Sequence, residues 1–351
     1  MSTARGGTRC PDRGLGAPPA RSTERRGRAI LGLILVGSTV FFVAAGIERV
    51  LEIRDQLHVE ATETFADLGG PRIRYRLRGA DQPGPPVVIL PGLGACLEEW
   101  DYVQSQVAAF SPALVYDRGG YGFSTGSKAH DASEQADELA ALLSALKLEG
   151  RIVLVGYSLS AQIARLFVER HREKVAGLVL VDPYPPEIEG RVQGRHGQMR
   201  QYARTMFTHS MKAMLGVKRL VRSLEEHRAL PADATPVQQR AEEARRAQQR
   251  AQQSFPHLWS VVREWLATSA TARETLAADR LEDLPVLLLS SELPDDAVGR
   301  VLDEVFRAFV ARSRRGALRS LGKVGHLGLL GDGPAAPTII GAIRELTQEA
   351  R

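Results

Sequence analysis

Ser158 stands where a side-chain hydroxyl can be made to react. The stretch 151–161 reads Arg-Ile-Val-Leu-Val-Gly-Tyr-Ser-Leu-Ser-Ala. Its apolar run, 152–155, suits a strand buried on both faces of a parallel sheet. A helical pattern starts at Leu159, so strand and helix are joined by a tight turn with Ser158 at its apex, above the sheet edge. A serine hydroxyl is a poor nucleophile on its own. It needs a neutral imidazole within hydrogen-bond reach to take its proton, and a carboxylate to fix that imidazole's tautomer and stabilise the imidazolium. A serine so equipped performs acyl transfer.

The flanking chain supplies the framework such a turn requires. Segments 58–65 and 72–78 read as two strands around the Gly69-Gly70-Pro71 turn, the second alternating charged and apolar residues as an edge antiparallel strand does. Apolar strands follow at 87–90 and 113–116, a helix is expected near 98–109, and another over 131–147 leads into the strand before Ser158. Beyond the helix 159–171 come a strand at 177–181 closed by Asp182-Pro183, another at 284–289, a helix over 297–312, a strand near 317–321 and a terminal helix over 335–349. Strands alternating with helices at this spacing predict an α/β fold, a doubly wound and mostly parallel sheet.

The stretch 184–283 breaks the alternation and holds only helical patterns, among them a Gln/Arg/Ala-rich segment from Pro236 to Gln253. Apart from Met1, every methionine (199, 206, 211, 214) lies in its first helix with Tyr202, Phe207 and Leu215, and Leu258, Trp259, Val262, Trp265 and Leu266 form a second apolar stripe. Flexible, polarizable methionines accommodate apolar ligands. Met199, Met206 and Trp259 are therefore candidates for substrate contact, with core filling or a face resting on a bilayer as the competing readings.

The N-terminal part has a different character. Residues 1–28 hold seven arginines against Asp12 and Glu24, a net of +5 that equals the formal charge of the whole chain, so the remainder sums to zero. The basic character belongs to an arm of disordered composition, and no nucleic-acid partner is expected. Nineteen uncharged residues, 29–47, follow. As a helix rising ~1.5 Å per residue they span about 28 Å, close to the roughly 30 Å of a hydrocarbon core. Arginines 25, 26 and 28 precede the segment and a balanced set follows it, which places the arm in the cytoplasm and the rest on the outer side of the membrane. A single transmembrane anchor is the expectation. A cleaved signal peptide, for which Val43-Ala44-Ala45 offers small residues, a twin-arginine export signal and a buried core helix compete with it. Two cysteines, Cys10 and Cys96, make no disulfide framework, and no Cys/His metal-ligand cluster is present in the sequence.

With these elements in place, the chain resembles the α/β-hydrolase family. Gly156-Tyr-Ser158-Leu-Ser160 resembles its nucleophile elbow G-x-S-x-G, with Ser160 in place of the second glycine. Asp117-Arg-Gly-Gly-Tyr-Gly-Phe-Ser124 is similar to a recurrent loop of the family, and Gly92-Leu93 looks like its oxyanion turn, with Pro91 where a histidine is usual. The resemblance implies a core over 57–183 and 284–351 and a helical cap at 184–283. It implies Ser158 as nucleophile, the amides of Leu93 and Leu159 as oxyanion donors, and His326, on the loop after the last strand, as base. The acid of this family usually follows the seventh strand, which points to Asp295, with Asp296, Glu292 and Asp182 (after the sixth strand) also in contention. Serine at the elbow argues against the haloalkane dehalogenase and epoxide hydrolase branches, which carry aspartate there. The implied function is a membrane-anchored serine hydrolase of the carboxylesterase kind, acting on an apolar acyl substrate and needing no metal or organic cofactor. Carbon–carbon hydrolases, cofactor-free haloperoxidases, acyltransferases and a non-catalytic ligand-binding protein stay open beside it.

Overall fold

A computed structural model describes residues 21–126, 130–188, 191–192, 195–226, 245–246, 248–278, 280–329 and 331–351. The first twenty residues of the basic arm, with Cys10, and most of the segment from Pro236 to Gln253 lie outside them. The chain divides into two units, Met1–Ile47 and Glu48–Arg351.

Helix α1 (Arg21–Glu60) carries the uncharged run, and within it Arg28–Glu60 is long and apolar enough to cross a membrane by length and composition. Leu33, Val36, Val40 and Phe42 are each more than half exposed. The expected strand 58–65 starts later. The helix runs to Glu60, and the strand is β1 (Thr64–Asp67). The reason lies in the side chains. Gln56 and Glu60 are one turn apart and bond at 3.0 Å, and Glu60 meets Arg72 at 2.6 Å, so helical spacing prevails over a short apolar/polar alternation.

The sheet has eight strands in the order β1-β2-β4-β3-β5-β6-β7-β8. Strand β2 (Arg72–Arg78) pairs antiparallel with β1 and with β4 (Ala113–Tyr116). The others, β3 (Val87–Leu90), β5 (Ile152–Tyr157), β6 (Val175–Val181), β7 (Val286–Ser290) and β8 (Gly316–Ser320), run parallel. The central strands are buried at every position, as continuous apolar runs require when both faces are covered. Successive residues feed opposite layers. Val87, Ile89, Val153 and Val155 pack with Trp100, which precedes α2 (Asp101–Val107), with Val103 of α2 and with Ile339 and Ile343 of α9 (Ala336–Glu349). Val88, Leu90 and Leu154 pack instead against α3 (Ala132–Ala145), α4 (Ser160–Arg170) and α8 (Ala297–Val310) through Leu139, Phe167 and Phe306.

Between β6 and β7 the main described elements are helical: α5 (Arg195–Met214), α6 (Val217–Glu226) and α7 (Phe255–Leu276), with one short 3₁₀ turn at Pro186–Ile188. Helices α5 and α7 meet through Tyr202 and Trp265, with ring centroids 4.8 Å apart. The face of α7 that turns inward carries Leu258, Val261 and Val262, whereas Leu266 is 71% exposed and Trp259 36%. The tryptophan stripe is thus partly a surface feature.

Candidate active site

Strand β5 ends at Tyr157 and α4 begins at Ser160, so two residues make the whole turn. Ser158 accordingly has φ 54°, in the left-handed region that non-glycine residues adopt only at a cost of order 1–3 kcal/mol. Its backbone is held from both sides: the Ser158 amide donates to the Val181 carbonyl at 3.1 Å, and the Tyr184 amide donates to the Ser158 carbonyl at 3.0 Å. These bonds lock the turn to the end of β6 and to the loop beyond it.

The Oγ of Ser158 lies 2.9 Å from Nε2 of His326, and Nδ1 of the same ring lies 2.5 Å from Oδ2 of Asp182. The structure therefore brings Ser158 and His326 together, and the carboxylate that completes the chain is Asp182 rather than Asp295. Asp295 is exposed in the loop before α8. Asp296 caps α8 by accepting from the Val298 and Gly299 amides, and Glu292 sits 3.7 Å from Lys323 at the surface. The physical reason is strand order. Tyr157 and Val181 are paired neighbours, so the residue after β6 stands beside the elbow, whereas β7 lies one strand further away.

Asp182 is itself shaped for this position. Its φ of 43° makes it a second left-handed non-glycine residue at the carboxyl end of the sheet. The Ser291 amide and hydroxyl both donate to its Oδ1, at 3.0 and 2.7 Å, leaving Oδ2 for the histidine. Burial raises its proton affinity, but the hydrogen bonds from His326 and Ser291 outweigh that and hold the carboxyl below its usual 3.8. It is ionised at neutral pH, as an acceptor for Nδ1–H must be.

Tyr157 fixes the histidine from a direction that sequence reasoning missed. Its ring stacks on His326 with centroids 5.0 Å apart and planes 19° apart, and its hydroxyl donates to the His326 carbonyl at 2.7 Å. The signal available was the residue between the glycine and serine of the elbow, an aromatic with a polar tip.

The turn at Gly92-Leu93 faces the elbow. A Cβ on Gly92 would stand 2.9 Å from the Tyr157 ring and 3.3 Å from the Ser158 Cβ, so a glycine is required by close approach alone. Among the described residues no backbone carbonyl takes the amide of Leu93 or of Leu159, and both lie in the turns that flank Ser158. The Gly92 carbonyl is turned the other way, accepting from Arg118 at 2.8 Å. Arg118 is fully buried, and it also pairs with Glu264 of α7 at 2.7 Å while Glu264 accepts from the Tyr121 hydroxyl. The Asp-Arg stretch thus braces the turn against the helices between β6 and β7.

Ser158, Asp182 and His326 open into a cleft of about 270 Å³, walled by Pro183, Tyr184 and Pro185, by Leu293 and Pro294, and by Leu302 and Phe306 of α8. Neither Met206 nor Trp259 lines it. Met206 is half-buried on α5, and Trp259 stacks on Phe255. The side chain of Met199 lies outside the described residues.

Elsewhere Cys96, Glu98 and Asp117 converge as a metal's ligands would. The place of a cation there is taken by the guanidinium of Arg74, 2.6 Å from Glu98 and 3.2 Å from Asp117. Burial also pushes the Cys96 thiol well up. This cluster is an internal ion-pair network.

Residues 85–292 match the profile of a family described as alpha/beta hydrolase fold. Among curated proteins the chain is 31% identical over 101 residues to the uncharacterized protein YqjL of Bacillus subtilis, covering 28% of this chain and 40% of that one. It is 29% identical over 121 residues to an uncharacterized protein of Mycobacterium tuberculosis, covering 34% of each. The chain thus spans less than half the length of these relatives. Similar solved structures include an epoxide hydrolase from Vigna radiata (TM-score 0.59, 16% identity, 82% of this chain and 98% of that one). A thermophilic esterase from Thermogutta terrifontis is similar at a TM-score of 0.55 and 19% identity, over 82% of this chain and 99% of that one. At these identities the likeness establishes the fold.

Proposed function

We propose, from the premise that the chain belongs to the alpha/beta-hydrolase fold family, that it is a serine hydrolase cleaving an ester or related acyl bond through an acyl-enzyme, held to a membrane by its N-terminal helix. The observation that carries the reading is the continuous hydrogen-bond chain from Ser158 through His326 to Asp182.

In this reading His326 Nε2 takes the Ser158 proton as Oγ attacks the substrate carbonyl, and Asp182 holds Nδ1–H and stabilises the imidazolium. The oxyanion forms between the Leu93 and Leu159 amides. The tetrahedral species collapses when His326 returns the proton to the departing alkoxide, leaving the acyl group on Ser158. A water, deprotonated by His326, then releases the acid by the same steps in reverse. The apolar walls of the cleft, Leu293, Leu302 and Phe306, favour an apolar substituent on the substrate.

Several of the similar structures are epoxide hydrolases, and the identity of the nucleophile separates the two chemistries. A carboxylate that opens an epoxide forms an ester, which water cleaves. A serine that did so would form an ether, which water at neutral pH does not cleave, so the enzyme would be consumed. Ser158 therefore favours acyl substrates.

The test is labelling of the full chain with a fluorophosphonate probe beside Ser158→Ala. Labelling that depends on Ser158 is expected, and its absence would remove the enzyme reading. For the anchor, with the arm cytoplasmic and the hydrolase unit outside, an impermeant thiol reagent applied to intact cells should not reach Cys10. Labelling there overturns the topology.

A further inference from the structure

Ser160 is the residue by which this elbow departs from glycine, and its side chain is fully buried. The last paired residues of β3 and β5 are Leu90 and Gly156. Immediately beyond them the two strands part, Leu90 entering the Pro91-Gly92-Leu93 turn and Tyr157 entering the elbow. Parting strands leave a carbonyl and an amide facing each other at a widening gap, too deep in the protein for solvent. The Ser160 Oγ occupies that gap. It accepts from the Tyr157 amide at 2.9 Å, and its single proton has two carbonyls in reach, Leu90 at 2.7 Å and Tyr157 at 2.8 Å. The hydroxyl ties the end of β5 to the end of β3 past their last rung.

We infer that Ser160 is a positioning residue: its hydroxyl spaces the Leu90–Leu93 turn from the nucleophile elbow and so sets where the Leu93 amide stands relative to Ser158 Oγ. The inference rests on the serine-hydrolase reading above and deepens it. Three observations beyond the Ser160 contacts support it. Gly92, two residues after Leu90, already lies against Tyr157 and Ser158 with no room for a Cβ, so the turn has a hard stop on one side. Pro91 has no amide proton and confines Leu90 to extended backbone, which keeps the Leu90 carbonyl directed across the gap. Arg118, fully buried, holds the Gly92 carbonyl from behind. Between these constraints the Ser160 hydroxyl is the adjustable contact on the elbow side. Without it the Tyr157 amide loses its partner, and the strand ends must shift together or apart to recover one. Either movement is transmitted through the turn to the oxyanion donor.

A residue that only fills space would behave differently from one that sets a catalytic distance. Ser160→Gly restores the family's glycine and Ser160→Ala keeps the Cβ, and both remove the hydroxyl; Ser160→Thr keeps it. The full chain, purified in detergent, is assayed for the rate of fluorophosphonate labelling at Ser158, for kcat and KM on an aryl ester, and for Tm. Displacing a reacting group by a fraction of an ångström is expected to lower kcat and the labelling rate of the Gly and Ala variants about ten- to a hundredfold. KM should stay within about twofold of wild type, the split expected of an interaction made in the transition state. Ser160→Thr should recover part of the lost kcat. If a variant has a lower Tm, the comparison is made at a temperature where near-ultraviolet circular dichroism shows both proteins folded. Wild-type kcat and labelling in Ser160→Gly would overturn the inference alone. Absence of Ser158-dependent labelling in the wild type would instead remove the reading on which it rests.

Discussion

The Asp182 carboxylate meets His326 Nδ1 at 2.5 Å from the end of β6, one strand nearer Ser158 than the loop that holds Asp295. Two consequences are separable by mutation. Asp182→Asn keeps the shape but presents an amide to Nδ1, which favours the tautomer with Nε2 protonated and unable to accept from Ser158. Fluorophosphonate labelling and ester turnover should fall by about 10³- to 10⁴-fold. Asp295→Asn should leave both rates within about twofold of wild type, since exposed loop carboxylates away from such contacts contribute little. Equal losses in the two variants would show that the acid is shared between the strand ends.

The ring of Tyr157 lies on His326 and its hydroxyl holds the histidine's carbonyl. Tyr157→Phe retains the stacked ring and deletes one bond to the loop. A neutral hydrogen bond contributes about 0.5–1.5 kcal/mol net to stability, so the variant should lose roughly 2–4 °C in Tm per kcal/mol, with kcat falling by up to about tenfold as the His326 loop loosens. Measuring kcat against temperature checks the assignment, because a loosened His326 loop gives a deficit that widens on warming.

Glu99 gives a pH dependence with a definite sign. Burial raises its carboxyl from the usual 4.5 to about 7, against the opposing effect of its bonds to the Cys96 amide and to Gln252. The folded protein therefore holds this proton more tightly than the unfolded chain. The resulting stability is fully present below pH 4.5 and is lost as pH rises through about 7. Glu99→Gln keeps an acceptor for both donors and cannot ionise. It should raise Tm at pH 8 relative to wild type and leave it little changed at pH 5. A variant less stable than wild type at pH 8 would show that the ionised carboxylate is needed in place.

The alternation of apolar strands with helices, the Gly-Tyr-Ser stretch and the histidine near the chain's end were legible because each is a local pattern. A buried parallel strand must be apolar throughout, as 152–155 and 286–289 are, and a strand-to-helix turn of two residues leaves one apex. The boundary of α1 was less legible. A short alternation after His58 suggests a strand, and only the approach of Arg72 on β2 shows why Glu60 stays helical.

Ser158 as the apex of a tight turn, and the α/β order that places it above a sheet, follow from the sequence by itself. Which carboxylate meets His326 does not. Asp182, Glu292, Asp295 and Asp296 all follow buried strands, and they are distinguished only by the lateral order of those strands, which the fold decides when β5 and β6 become neighbours. The role of Ser160 is of the same kind. Read along the chain it is a departure from glycine, and only the approach of Leu90, seventy residues earlier, gives its hydroxyl a partner. Local pattern determines what each segment becomes, while hydrogen bonds between distant segments decide which of several suitable residues do the work.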